Sequence, residues 1–240
     1  MSDNAPAASS NGDVGRQYTF NPSPYGPHQK AIGLVPAGAR VLDVGCARGY
    51  ISEQLVAKGC EVLGIELDRE AADLARRHCA EVIVADMDTL AELPWPRQRF
   101  DVILCMDILE HLKDPARALK LLKPYLNPEG IIIVTLPNVA NWWLRFRLLR
   151  GRWDYHPLGI CDRSHLRFYT LKTARDLLAE AGLAIATFDV TPGAGAWAPY
   201  HYTIGKLLRL FRLDERCDYW LSRHFPGFFA YQFIFAARPQ

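Results

Sequence analysis

Short apolar runs bounded by turn residues recur at Arg40 to Gly45, Glu61 to Glu66, Glu81 to Ala85, Phe100 to Cys105 and Gly130 to Leu136, and each predicts a strand. Between them, helical patterns cover Tyr50 to Lys58, Arg69 to His78 and Pro115 to Leu126. Strand–helix alternation of this kind means a mostly parallel sheet with helices on both faces, because each crossover must pass over one face. After Asn138 the alternation stops. An insertion at about residues 139–168 precedes a predicted helix at Leu171 to Ala181, which ends at Gly182. Leu183 to Val190 and Ala230 to Ala237 read as two final strands, separated by a second insertion at about 192–229. Long connections usually carry function, so both insertions belong near the substrate. Residues 1–16 are polar and small and read as a disordered tail; 17–240 read as one domain, with a helix inside Arg16 to Val35 that precedes the sheet.

The first strand supplies the chemistry. Val41 to Tyr50 reads VLDVGCARGY, an apolar strand running into an acid and a glycine-rich turn, and the second strand ends on another carboxylate, Glu66. A dinucleotide fingerprint needs small residues at the first, third and sixth positions of the turn. Here Gly45, Ala47 and Gly49 stand at the first, third and fifth, and Tyr50 takes the sixth. Asp43 would also meet a pyrophosphate with like charge, whereas a cofactor carrying an ammonium and a sulfonium would welcome it. S-adenosylmethionine (SAM) is such a cofactor. Glu66, 21 residues beyond Gly45, is placed to accept both ribose hydroxyls.

These residues resemble the class I SAM-dependent methyltransferases, and the resemblance extends over roughly residues 40–138. EVIVADMD, Glu81 to Asp88, is similar to their third strand and adenine loop, with Asp86 matching the acid for the adenine amino group and Met87 beside it. FDVILCMDILEHLKDP, Phe100 to Pro115, and IIIVTLPN, Ile131 to Asn138, are similar to their fourth and fifth strands. Ala47 stands where the family often has glycine. The resemblance implies a doubly wound, Rossmann-like, seven-stranded α/β sheet with one antiparallel strand, plus helical cap insertions. It implies SAM as cofactor, held by Asp43, Gly45, Cys46, Ala47, Gly49, Glu66, Asp86 and Met87. Each acid has a structural alternative: Asp43 and Asp86 as caps, Glu66 as a surface acid at a strand end.

Composition narrows the class. The 240 residues are 50% hydrophobic and 22% charged, with a net charge of +2 that lacks the basic balance of a nucleic-acid binder. Nucleic-acid methylation is disfavoured on motif grounds too, since Met106, Asp107, Ile108 and Leu109 stand where a base-amine enzyme would carry an Asp/Asn-Pro-Pro-aromatic motif, and Cys105 lacks a preceding proline. The six cysteines show no CxxC pairing and read as reduced thiols of a cytoplasmic protein; no metal site is expected. No run of about 18 apolar residues suggests a membrane span.

Methyl transfer to a neutral hydroxyl needs a proton acceptor, and histidine suits that task near neutral pH. His165, in DRSHLRFYT, and His111, in the Glu110-His111 pair, resemble the corresponding segments of ubiquinone-biosynthesis O-methyltransferases and are the candidate bases. His165 could instead bind a loop carbonyl, and His111 could buttress the pocket. Asp107, Asn138, Trp142, Arg167 and Tyr169 are candidate substrate contacts, with helix capping the alternative for Asp107. Two basic aromatic segments, Asn141 to Trp153 and Ile204 to Arg212, are expected to turn their apolar faces inward over the acceptor; contact with an anionic membrane is the alternative. Pro137 to Tyr155 with HLRFYT resembles both methyltransferases of the ubiquinone and cell-surface glycan type and MetW-type proteins of methionine biosynthesis. The first resemblance implies a small-molecule, glycan or lipid-linked acceptor, the second a SAM-binding partner or regulator that need not turn over.

Overall fold

The structure, a computed structural model, describes residues 20–95, 99–193 and 214–240. Seven strands form one sheet: β1 Arg40–Val44, β2 Glu61–Glu66, β3 Glu81–Val84, β4 Phe100–Met106, β5 Leu126–Pro137, β6 Leu183–Val190 and β7 Gln232–Pro239, in the order β3-β2-β1-β4-β5-β7-β6. Neighbours from β3 to β5 pair in parallel, and β7 runs antiparallel to both β5 and β6. The expected mostly parallel sheet with one antiparallel strand is therefore present.

Helices α1 Pro27–Leu34, α2 Tyr50–Ala57 and α3 Arg69–Ala75 cover one face, through a core containing Ala31, Leu55, Ala72, Val62, Leu104 and Ile133. Helices α4 Pro115–Leu122 and α6 Leu171–Glu180 cover the other, around Leu119, Leu178, Phe100, Phe233 and Phe235. Local sequence fixes their starts. Asp68, Asp114 and Thr170 each accept a backbone N–H of the first helical turn, and Thr170 forms a reciprocal capping box with Thr173. The helix expected to run to Leu126 ends at Leu122, followed by one 3-10 turn at Lys123–Tyr125, because Pro124 offers no N–H to continue the ladder. Leu126 already belongs to β5.

The strand sequence runs outward from β1 to β3 and then returns to place β4 beside β1. That reversal opens a crevice above the carboxyl ends of β1 and β4, where ligands of doubly wound sheets bind. The first insertion carries α5 Trp142–Leu149, and α7 Asp214–His224 and α8 Pro226–Phe229 precede β7. The tail at 1–16 and the segment Ile204 to Arg212 lie outside the described residues. No helix among the described residues is long and apolar enough to cross a membrane.

Candidate active site

The glycine turn begins where β1 ends. Gly45 and Cys46 donate their N–H groups to the Ile65 carbonyl at 2.8 and 3.1 Å. Gly45 has φ +74°, and a Cβ there would stand 3.0 Å from Cδ1 of Ile108, so the turn keeps its backbone bare toward the crevice. Gly49, at φ +80°, lies against the Cα of Ala75 in the same way. Ala47 takes the left-handed region without being glycine, at φ 48°. Its N–H donates to Glu66 Oε2 at 2.8 Å, which offsets part of a strain of about 1–2 kcal/mol. Glu66 Oε1 accepts the N–H groups of Leu67 and Asp68, both at 2.9 Å. The carboxylate is thus held rigidly at the end of β2.

Beside it lies a cavity of about 120 Å³, lined by Gly45, Ile65, Glu66, Leu67, Ala85, Asp86, Met87, Asp88, Ile108, His111 and Leu112. Asp86 braces the loop by accepting the Asp88 N–H, and Met87 is buried. Arg117 of α4 donates to the carbonyls of Met87, Asp88 and Leu90 and so anchors the loop from behind. Neither Arg117 nor the lining pair Ile108 and Leu112 was legible as site residues, because only the fold brings them to the loop. A glycine cradle and two half-buried acids suit an adenosine with its ribose diol and exocyclic amine.

Asp43 stands below this turn, 3% exposed, and accepts the Ser52 hydroxyl at 2.8 Å. Burial pushes its carboxyl up to about 6, the nearby Glu66 charge adds to the rise, and the Ser52 hydrogen bond opposes it. Asp43, Cys46, Ala47 and Gly49 do not line the 120 Å³ cavity. Cys46 contributes its N–H to the turn, while its thiol is packed against Gly64, where a Cβ would sit 2.7 Å from the sulfur. Its side chain is a packing element rather than a cofactor contact.

At the end of β4, Asp107 occupies the left-handed region at φ 51°. Its N–H donates to Thr135 Oγ1 at 2.9 Å, and its Oδ1 accepts from Thr135 Oγ1 and Gln232 Nε2, both at 2.7 Å. It therefore caps no helix. The 3-10 turn that follows, Leu109–His111, carries Glu110 into the interior. Glu110 is 1% exposed, and neither of its carboxylate oxygens has a hydrogen-bond partner among the described residues. Burial, followed by the charges of Asp107 and Asp162, holds it well above the usual carboxylate range.

His165 lies across from it. Its Nδ1 is 3.1 Å from the Ile160 carbonyl, which selects the Nδ1–H tautomer and leaves Nε2 as the basic nitrogen, 4.0 Å from Glu110 Oε1. Burial, with a smaller contribution from His111, lowers its pKa below 6.5. The His111 and His165 rings meet edge to face with centroids 4.8 Å apart, and His111 also lines the cofactor cavity. The structure thus brings both predicted histidines together beside the cofactor site. Glu110, His111 and His165 further place one ligand atom each within 4.8 Å of one another, close enough to hold a metal ion. The sequence carries no ligand spacing for this grouping, because His165 joins Glu110 and His111 only through the fold.

Other predicted contacts need correction. Asn138 is fully buried; its Nδ2 donates to the carbonyls of Pro226 and Ala230 and its Oδ1 accepts the Ala140 N–H, so it braces the insertion instead of meeting a substrate. Arg167 is exposed and donates to the Lys113 carbonyl at 2.5 Å, while its N–H joins that of Leu166 on the Glu110 carbonyl. It straps the His165 segment over Glu110. Tyr169 is buried beside Glu110, and burial and that carboxyl push its phenol up to about 12. Trp142 donates Nε1 to the Gly193 carbonyl at 3.3 Å. The inward reading of α5 holds only in part: Leu144 is buried and Trp142 and Trp143 are half-buried, but Phe146, Leu148 and Leu149 are exposed. A second cavity, of about 290 Å³, lies between α5 and the loop at Leu158–Cys161, with Trp143, Leu144, Ile160 and Tyr231 in its walls.

Residues 27–187 match the family described as methyltransferase domain. The chain belongs to that family and is a class I SAM-dependent methyltransferase, with SAM as its cofactor. Among characterised relatives, it is 38% identical over 134 residues to the ubiquinone biosynthesis O-methyltransferase of Xylella fastidiosa, a match covering 48% of this chain and 53% of that protein. The protein of the same description from Actinobacillus pleuropneumoniae is 36% identical over 118 residues, covering 46% and 50%. The chain thus spans about half the length of the curated relatives it matches. Solved structures agree in fold: a SAM-dependent methyltransferase of Mesorhizobium loti has a TM-score of 0.57 at 20% identity, covering 88% of this chain and 96% of that one. The magnesium protoporphyrin IX methyltransferase of Synechocystis, solved with S-adenosylhomocysteine (SAH), has a TM-score of 0.57 at 14% identity, covering 89% and 83%.

Proposed function

We propose that this chain methylates a hydroxyl oxygen on a small-molecule, glycan or lipid-linked acceptor. The observation that carries the reading is His165, whose Nδ1 is engaged by the Ile160 carbonyl and whose Nε2 is enclosed beside His111 at the edge of the cofactor cavity. SAM, when bound, supplies an electrophilic methyl group on a sulfonium that departs as neutral SAH. Glu66 and Asp86 hold the nucleoside end, and Asp43 balances the cationic end. His165 Nε2 takes the hydroxyl proton as the oxygen–methyl bond forms, so the acceptor never has to ionise in advance. Exclusion of water and alignment of the oxygen supply the remainder of the catalysis. The ubiquinone O-methyltransferase relatives support oxygen as the methylated atom.

A second reading of the same cluster rests on the two unpartnered, buried oxygens of Glu110. A divalent cation held by Glu110, His111 and His165 would satisfy them and would acidify a bound hydroxyl directly, leaving His165 as a ligand and not a base. Turnover with tritiated SAM over a panel of catechol, phenol, sugar and carboxylic acid acceptors, each with EDTA or with magnesium, tests both readings. Methylation of a hydroxyl compound in EDTA supports the base; strict dependence on the cation supports the ligand. Methylation confined to the carboxylic acids would contradict the proposal, since a carboxylate needs no base.

A further inference from the structure

We infer that Thr135 and Gln232 are positioning residues for methyl transfer, clamping Asp107 from β5 and β7 so that its free carboxylate oxygen is presented to the acceptor. Three adjacent strands converge on this one side chain: Thr135 pairs with Met106 of β4 in the sheet register, and Pro137 of β5 pairs with Gln232 of β7. Thr135 closes a reciprocal pair, accepting the Asp107 N–H at 2.9 Å and donating to Oδ1 at 2.7 Å, and Gln232 Nε2 adds a second donor to Oδ1 at 2.7 Å.

Both clamp residues are buried, and neither lines the cofactor cavity. Thr135 stands directly after the apolar run Ile131 to Val134, and Gln232 directly before the apolar run Phe233 to Ala237. A non-glycine residue at φ 51° persists only where its surroundings over-determine it, and such residues gather at functional sites. The clamp occupies Oδ1 alone; Oδ2 has no hydrogen bond among the described residues. Asp107 is also close enough to His111 to feel its charge, and close enough to Glu110 for its own charge to act there. A carboxylate oriented in this way can accept the hydrogen bond of an acceptor hydroxyl and aim its oxygen at the methyl group.

The kinetic arm of the test rests on the hydroxyl-acceptor reading, whereas the spectroscopic arm does not. In ligand-free protein, the Asp107 Cα and Cβ NMR shifts should leave the left-handed range in Thr135→Val and in Gln232→Met and stay there in Thr135→Ser, which keeps the hydroxyl. Unchanged shifts in both Val and Met variants would overturn the clamp. With tritiated SAM and the fastest hydroxyl acceptor of the panel above, the same two variants should lose at least tenfold in turnover while the Kd for SAM moves less than twofold. Gln232→Met should then cost nothing further in an Asp107→Ala background. The full loss persisting in that background would show that Gln232 acts by another route, and the positioning role would fall. If no hydroxyl compound is methylated, the acceptor reading fails while the NMR result still decides the clamp.

Discussion

His165 Nε2 stands 4.0 Å from Glu110 Oε1, with the two side chains 6% and 1% exposed. The separation is too long for a hydrogen bond, and the burial too complete for bulk water to serve either group. An unpartnered buried carboxyl costs about 1–3 kcal/mol, so the apoprotein carries a local instability that a ligand is suited to relieve. Glu110→Met should therefore raise Tm by a few degrees; under the cation reading of the cluster it should also abolish methyl transfer. Calorimetric melting with a parallel activity assay checks it. A variant that melts lower and still turns over would show that Glu110 is structural.

The depressed pKa of His165 fixes the sign of the pH dependence. The neutral ring is the base, so its competence is complete above the folded pKa and lost as pH falls through it, and that pKa lies below 6.5. With SAM saturating, the acidic limb of kcat/KM for the acceptor should accordingly lie below the ordinary histidine value. His165→Gln should remove the limb and lower the rate by about 10²–10⁴-fold, with SAM binding retained. A limb above 6.5, or its survival in His165→Gln, would contradict the assignment.

Asp43 makes the opposite prediction for the folded state. Its folded pKa of about 6 lies above the model-compound value of 3.8, so the native protein holds the proton more tightly across that interval. Stability of the apoprotein is then fully favoured below 3.8 and declines as pH rises through about 6, by up to ~3 kcal/mol. SAM, being cationic, should reverse this by favouring the carboxylate. Its Kd should tighten as pH rises through about 6, and Asp43→Asn should flatten the curve. Calorimetry across that range decides, and a pH-independent Kd in the wild type would remove Asp43 from the cationic end. Glu66→Ala should weaken SAM roughly tenfold or more through loss of charge-assisted hydrogen bonds.

Helix α5 presents Leu148 and Leu149 to solvent, 57% and 86% exposed, beside Arg145 and Arg150. An apolar ridge flanked by arginines suits an anionic bilayer. The protein should sediment with phosphatidylglycerol vesicles at low salt and be released at high salt, because screening shortens the reach of the arginines. Leu148→Ser with Leu149→Ser should weaken sedimentation at low salt by removing the apolar part of the contact. A protein that ignores such vesicles at low salt would show that the exposed ridge of α5 does not meet a bilayer.

Much of the fold was legible because turn residues bracket the apolar runs: β2 and β6 have the bounds their sequences imply. The start of β5 was not, since Asn127, Pro128, Glu129 and Gly130 are turn formers that the strand absorbs as an irregularity between the pairings of Leu126 with Phe100 and Ile131 with Val102. Within the site, Glu66 and Asp86 were legible because an acid at a strand end follows a readable apolar run. Glu110 was harder, for in the pattern it reads as the polar face of a helix. Its burial comes from the distant strap at Leu166 and Arg167, whose N–H groups both donate to its carbonyl. Thr135 and Gln232 carried no local signal, because their partner is set by which strands lie side by side. Asn138 was misread for the converse reason: a polar residue after a strand looked available, and the chain near Ala230 had already claimed it.

The central claim is transfer of a methyl group from SAM to a hydroxyl oxygen, and the product of one reaction tests it. With SAM carrying a 13C-labelled methyl group and the acceptor panel, the labelled carbon of the product should show the chemical shift of a methyl ether and appear in step with SAH. A labelled carbon bonded to nitrogen, sulfur or carbon, or in a carboxylic ester, would contradict it.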